Sequence, residues 1–165
     1  KENASLRQLL AEKEVEIADK TNREGHAAKV YFNLLFTKDF IRGTNSMINS
    51  GLDYGYAIIL STINKDVVSK GYITQIGINH KSEFNQFNLT CDLMEPFRPL
   101  IDEIVYNNQN LEFDRIQKYK LIDVLNNKVK INGKEQFVGN AIPIYIQSVF
   151  DALENNESKI INYEI

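Results

Sequence analysis

The segment GINHKSEFNQFNLTCDLMEPFRPLIDEIV, from Gly77 to Val105, sets a histidine, several acids and an arginine among apolar and aromatic residues. If the part after Ser82 is helical, Asn88, Asp92, Glu95 and Asp102 follow at steps of four, three and seven and share one face. Phe84, Phe87, Leu93, Met94, Phe97, Leu100, Ile101 and Ile104 cover most of the rest. A helix apolar nearly all round is buried, so the acidic line is expected to face a cleft or a partner. Asp92 and Glu95, one turn apart, should repel each other, and desolvation sharpens the repulsion. A divalent cation relieves both costs, and His80 supplies a third donor of the borderline type that manganese, zinc and other transition metals accept.

Each of these residues also has a plain reading. Helical acids are commonly solvated or interact with the macrodipole, and a lone histidine is commonly an ordinary core or surface residue. Thr21-Asn22-Arg23-Glu24 is a T-x-x-E capping box, in which Glu24 reaches back to the Thr21 amide. His26 lies two positions from Glu24, on another side of the same helix, and reads as an ordinary histidine. Cys91 in the apolar segment reads as a small buried hydrophobe, and Tyr54 and Tyr56 as core aromatics rather than nucleophiles.

The elements that must position these groups are mostly helical. Leu6, Leu9, Leu10, Val15 and Ile17 give a light stripe to a charged helix ending before Thr21. A second helix carries Val30, Tyr31, Leu34 and Leu35, and a long one runs from about Ser46 to Val68, with Gly71 closing that region. Pro96 should kink the buried helix beside Glu95. Asp114 is expected to cap a helix through Ile116, Tyr119, Leu121, Ile122 and Leu125. Asn132-Gly133 predicts a two-residue hairpin that sets Lys130 opposite Glu135, and Pro143 suits the first turn of a last helix. The fold class is therefore mainly α with one small β-hairpin.

With 165 residues and 43% hydrophobic content, the chain can bury a real core. A formal net charge of -3 argues against a uniformly basic nucleic-acid coat, so any DNA contact must be local. Arg23, Lys29, Lys38, Arg42, Lys81 and Arg98 flank the acidic blocks and are the candidate contacts. The single cysteine excludes an internal disulfide and suits a reducing cytoplasm. No apolar run reaches the length of a membrane span, and no secretory pattern opens the chain.

Three blocks resemble a known family. Gly77 to Pro99, with His80, SEFNQFNL (Ser82 to Leu89) and DLMEPFRP (Asp92 to Pro99), is similar to the CRISPR-associated spacer integrase, the universal catalytic subunit of CRISPR adaptation, in its type II branch. REGHAAKVYF (Arg23 to Phe32) resembles that family's first catalytic block and LDYGYAIILS (Leu52 to Ser61) its central helix, all in family order. The resemblance places metal ligands at Glu24, His80 and Glu95 and an auxiliary acid at Asp92, which would orient a water or tune the site from behind the ligands. Asn79, Lys81 and Asp53 depart from the family's usual histidine, arginine and asparagine; none is a ligand position.

It further implies a helical catalytic domain over residues 21–165, preceded by a linking or peripheral helix over 1–20, with the family's N-terminal β-rich domain absent from this chain. The implied activity is that of a metal-dependent DNA endonuclease/integrase using Mn2+ or Mg2+. A DNA 3′-hydroxyl attacks a phosphodiester of the CRISPR repeat, a transesterification, or water attacks in a hydrolytic variant. Arg23, Lys29, Arg42, Lys81 and Arg98 would hold double-stranded protospacer and repeat DNA. The implied partners are a second copy, in a homodimer, and the small CRISPR adaptation partner subunit; the implied location is the bacterial cytoplasm, with no membrane. The alternative of a different class is a non-catalytic helical protein-interaction module whose acidic face binds a partner.

Overall fold

The structure is a computed structural model that describes residues 23–155 and 163–164. Expectations for residues 1–20, and for the capping box at Thr21, lie outside the described residues. The chain divides into two compact units, Lys1–Asn49 and Ser50–Ile165.

In the first unit, helix α1 (Arg23–Leu35) carries Tyr31 and Phe32 into a run of stacked and tilted rings with Phe36 and the buried Phe40. The turn that follows is organised by Asn49. Its Oδ1 accepts from Arg42 Nη1 at 2.9 Å and from the Gly43 amide, while its Nδ2 donates to the carbonyls of Ile41 and Thr44. Gly43 takes φ +86°, a conformation that favours glycine. Ser46 accepts from the Asn49 amide and so caps α2 (Met47–Ser69), the long central helix foreseen from sequence. Gly71 ends that region at φ +83°.

In the second unit, α2 buries Leu52, Tyr56, Ile59, Ile63 and Val67 on one face. The segment from Ser82 to Phe87 forms turns, and α3 begins only at Asn88 (Asn88–Met94). Side chains explain the late start: Asn85 Oδ1 accepts the Phe87 amide, and Asn88 Nδ2 donates to the Gln75 and Ser82 carbonyls, so backbone groups are satisfied outside a helix. Pro96 then turns Glu95–Phe97 into a 3₁₀ segment before α4 (Arg98–Asn107).

Asp114 caps α5 (Arg115–Ile122), its carboxylate accepting from the Gln117 amide at 3.0 Å. A 3₁₀ turn (Asp123–Asn126) leads to β1 (Lys128–Ile131) and β2 (Lys134–Phe137). The hairpin turns through Asn132 and Gly133, both at positive φ, and Lys130 stands opposite Glu135 as expected. The carboxylate of Glu135 is met by Lys128, at 3.0 Å. A third strand, β3 (Tyr163–Glu164), pairs antiparallel with β1 and makes the sheet order β2-β1-β3. The last helix, α6 (Val138–Asn155), starts earlier than Pro143 implied, so the proline lies inside it. Val138 docks first, its amide on the Asn127 carbonyl, and the buried Ala141 and Ile142 commit the turn before the proline to the core. No helix among the described residues is long and apolar enough to cross a membrane.

The core is set by the crossing of α2 and α4. A Cβ on Gly55 would collide with Ile101 Cγ2 and stand 3.2 Å from Leu121 Cδ2; one on Gly51 would stand 3.2 Å from Val105 Cγ2. Two glycines four residues apart on α2 thus receive two branched residues four apart on α4. Gly55→Ala gains helix propensity, yet the overpacking outweighs it by about 1–3 kcal/mol. We expect a melting temperature lower by roughly 5 °C; an unchanged or higher value would show that the crossing is not this tight.

Candidate functional site

Asp92 is the centre of the site. It sits in the middle of α3 with its side chain 8% exposed, and the loop Gly77–His80 wraps around its carboxylate. Oδ2 accepts from the amides of Ile78 at 2.5 Å and Asn79 at 3.0 Å, while Oδ1 accepts from the His80 amide at 3.1 Å. The His80 ring completes the cradle, with Nδ1 at 2.5 Å from Oδ1. Successive amides aimed at one anion form a nest. Burial alone would raise the Asp92 carboxyl, but the hydrogen bonds from His80 and the three amides outweigh it and hold it below the usual carboxylate range.

Gly77 makes this wrapping possible. A Cβ there would collide with the His80 carbonyl and stand 2.8 Å from Asp92 Oδ2 and 3.0 Å from Asn88 Cβ. The loop is also pinned from its far side, where the Leu89 amide donates to the Thr74 carbonyl and the Thr74 hydroxyl to the Gln86 carbonyl.

An ionised carboxylate can only accept, so Nδ1 of His80 carries a proton, and in the neutral ring the lone pair is then on Nε2. A carboxylate behind one ring nitrogen, with the other free, is the usual support of a metal-binding histidine. Asp92 has its oxygens occupied by four donor groups.

Glu95 belongs to a separate chain of contacts. Its side chain is 49% exposed and accepts from Arg98 Nε at 2.8 Å. The Arg98 guanidinium lies 4.8 Å from the centre of the Tyr56 ring, and the Tyr56 hydroxyl donates to buried Asp102. The expected acidic line is therefore divided three ways: Asp92 faces the loop, Glu95 faces Arg98, and Asp102 faces Tyr56. The predicted repulsion between Asp92 and Glu95 is already answered by these partners, so it gives no reason of its own for a cation.

Among the described residues, no three His, Cys, Asp or Glu side chains come together as a metal site. The donor types present are ones a metal accepts: in its neutral form, with Nδ1 paired to Asp92, His80 would offer Nε2, and Glu95 has a carboxylate oxygen not held by Arg98. Glu24 lies on α1 in the first unit, and its side chain is outside the described residues. Of the basic candidates in the first unit, Lys29 and Lys38 are exposed and Arg42 is engaged by Asn49; the Arg23 side chain is outside the described residues. In the second unit Lys81 is exposed and Arg98 is engaged by Glu95. Sequence reasoning missed Gly77 and the clamping role of Arg98. The signal for the first was a glycine three residues before a histidine, with an acid twelve further on.

The second unit is mainly helical, and in it a loop-borne histidine is held by a helical carboxylate. The family model for CRISPR associated protein Cas1 matches residues 3–120, and the chain belongs to that family. It is 40% identical over 89 residues to the CRISPR-associated endonuclease Cas1 of Neisseria meningitidis serogroup C, over 54% of this chain and 29% of that protein. A CRISPR-associated endonuclease Cas1 of Francisella tularensis subsp. novicida is 25% identical over 137 residues, 76% of this chain and 43% of its own length. These matches thus span less than half of either relative. A solved casposase bound to integration product shares the fold, with a TM-score of 0.74 and 24% identity over 94% of this chain and 56% of that one.

Two measurements check the cradle. Nitrogen NMR of His80 should report the neutral ring protonated at Nδ1; protonation at Nε2 would refute the pairing. Gly77→Ala should speed hydrogen exchange of the Ile78, Asn79 and His80 amides at least tenfold, an opening cost of about 1.4 kcal/mol, while the amides of α2 keep their protection. Unchanged exchange at 78–80 would mean that the loop does not depend on this close approach.

Proposed function

We propose that this chain carries the catalytic part of a metal-dependent DNA integrase/endonuclease of CRISPR adaptation, joining a protospacer 3′-hydroxyl to the CRISPR repeat by transesterification. The observation that carries the reading is His80: its ring is fixed by Asp92 with Nε2 free, in a chain of the Cas1 family. The relatives are named endonucleases, and the casposase was solved with an integration product.

In this reading His80 and Glu95, with Glu24 as the third ligand that the family resemblance implies, would hold Mn2+ or Mg2+, which when bound would supply Lewis-acid polarisation of the scissile phosphoryl oxygen. Asp92 keeps the His80 lone pair aimed and prevents its ring from turning. Arg98 restrains one oxygen of Glu95 and leaves the other available. The 3′-oxygen forms a new bond to phosphorus, the existing bond to the repeat's 3′-oxygen breaks, and the proton of the attacking hydroxyl ends on that leaving oxygen. No covalent enzyme intermediate is needed. Arg23, Lys29, Arg42, Lys81 and Arg98 are the proposed DNA contacts, with Arg42 and Arg98 doing double duty in the fold. A homodimer, the small CRISPR adaptation partner subunit and a bacterial cytoplasmic setting complete the proposal.

His80→Ala in the intact protein should abolish nicking and strand joining, a loss of at least a hundredfold, and remain folded. Wild-type activity in the folded variant would sink the assignment. Glu95→Gln should also be inactive and should lose the stabilisation that manganese gives the wild type in a thermal melt. Because Glu95 is paired with Arg98, its neutralisation should not raise the melting temperature in chelator. A full manganese shift in Glu95→Gln would remove Glu95 from the ligand set and favour the interaction-module reading.

A further inference from the structure

The loop that presents His80 also presents a phenylalanine with almost no contacts. Phe84 is 95% exposed, in a protein whose other phenylalanines, among the described residues, are partly or wholly covered. At that exposure both ring faces and the edge are open, so the side chain contributes little to folding. Its backbone is held: the Asn85 amide donates to the Ser82 carbonyl, which places Phe84 in the third position of a hydrogen-bonded turn. On one side Ser82 also receives Asn88 Nδ2; on the other, Asn85 Nδ2 reaches Cys91 Sγ and Asn85 Oδ1 accepts the Phe87 amide.

A preorganised turn that offers a bare ring is suited to stacking, because little freedom is lost when a flat partner arrives. Two features select the partner, beyond the placing of the ring on a turn between Glu83 and Asn85. Exposed Lys81 lies three residues before it. Phe84 is four residues from His80, a chain separation of at most about 14 Å, which is a few nucleotide steps.

We propose that Phe84 stacks on a nucleobase of the bound DNA, one next to the reacting phosphodiester that has left or loosened its pairing. This rests on the integrase reading above for the location of the phosphodiester, but the contact itself is one of binding. Phe84 is a positioning residue: a base held by the ring fixes the register of the strand at His80.

The test is a coupling cycle between the ring and the base. DNA of the joined-product type is prepared with a single abasic site at each nucleotide flanking the junction, and its affinity for the intact protein is measured in chelator, so that no chemistry occurs. Phe84→Ala should weaken binding to unmodified DNA about tenfold with an unchanged melting temperature, and Phe84→Trp should restore it. One abasic position should cost the wild type about tenfold and cost Phe84→Ala nothing further. Equal binding by Phe84→Ala, or losses that add at every abasic position, would overturn the proposal. So would a change in oligomeric state with DNA affinity preserved, which would place the ring between copies of the chain. His80→Ala should retain the coupling while losing strand joining. If His80→Ala joins strands, the catalytic reading falls and the cycle still decides Phe84.

Discussion

The hydrogen bonds that Asp92 accepts hold together a region without regular secondary structure. Residues Gly77 to His80 have no strand to pair with and no helix to join, and their amides would otherwise turn to water. One helical carboxylate collects those of Ile78, Asn79 and His80, together with the imidazole. The rest of the site depends on this. The tautomer of His80 follows from it, the path of the loop follows from Gly77's tolerance of it, and the turn that carries Phe84 continues from it. Buried charge is costly when unpaired, so the same contacts that order the loop also make Asp92 acceptable in the flank of the core.

The crossing of α2 and α4 is set by close steric contact at two glycines. α2 meets α4 where Gly51 and Gly55 receive Val105 and Ile101, and the close approach brings Tyr56 to Asp102 and the Arg98 guanidinium to the Tyr56 ring. Arg98 is in turn the partner of Glu95. A packing choice in the middle of the second unit is therefore felt at an exposed carboxylate by way of an aromatic face and a guanidinium.

Much of this was legible in the sequence, and the pattern of what was not has physical causes. The hairpin, the Asp114 cap, the long α2 and its end at Gly71 were written in short-range signals: positive φ at Asn132-Gly133, an acid before a helix, apolar spacing. Pro143 misled because its preference for a first turn is weaker than the burial of Val138, Ala141 and Ile142, which draw the helix start forward. The acidic line failed for a similar reason, since its spacing presumed one uninterrupted helix. His80 was singled out through the family resemblance, whereas its hydrogen bond to Asp92 was not foreseen: a loop residue meets a helical one only through the turns between them, and no periodicity encodes those turns. Glu24 stays a proposal resting on the resemblance.

The 3₁₀ segment at Glu95–Phe97 has a geometric consequence of its own. A 3₁₀ turn advances about 120° per residue where an α-helix advances about 100°, so three such residues rotate everything after them by roughly 60° relative to an unbroken helix. Pro96 thereby acts as a phase shifter between α3 and α4, in the manner of a dislocation between two lattice domains. Asp92 is registered to the loop, Asp102 to Tyr56, and Glu95 falls on the boundary, belonging to neither lattice.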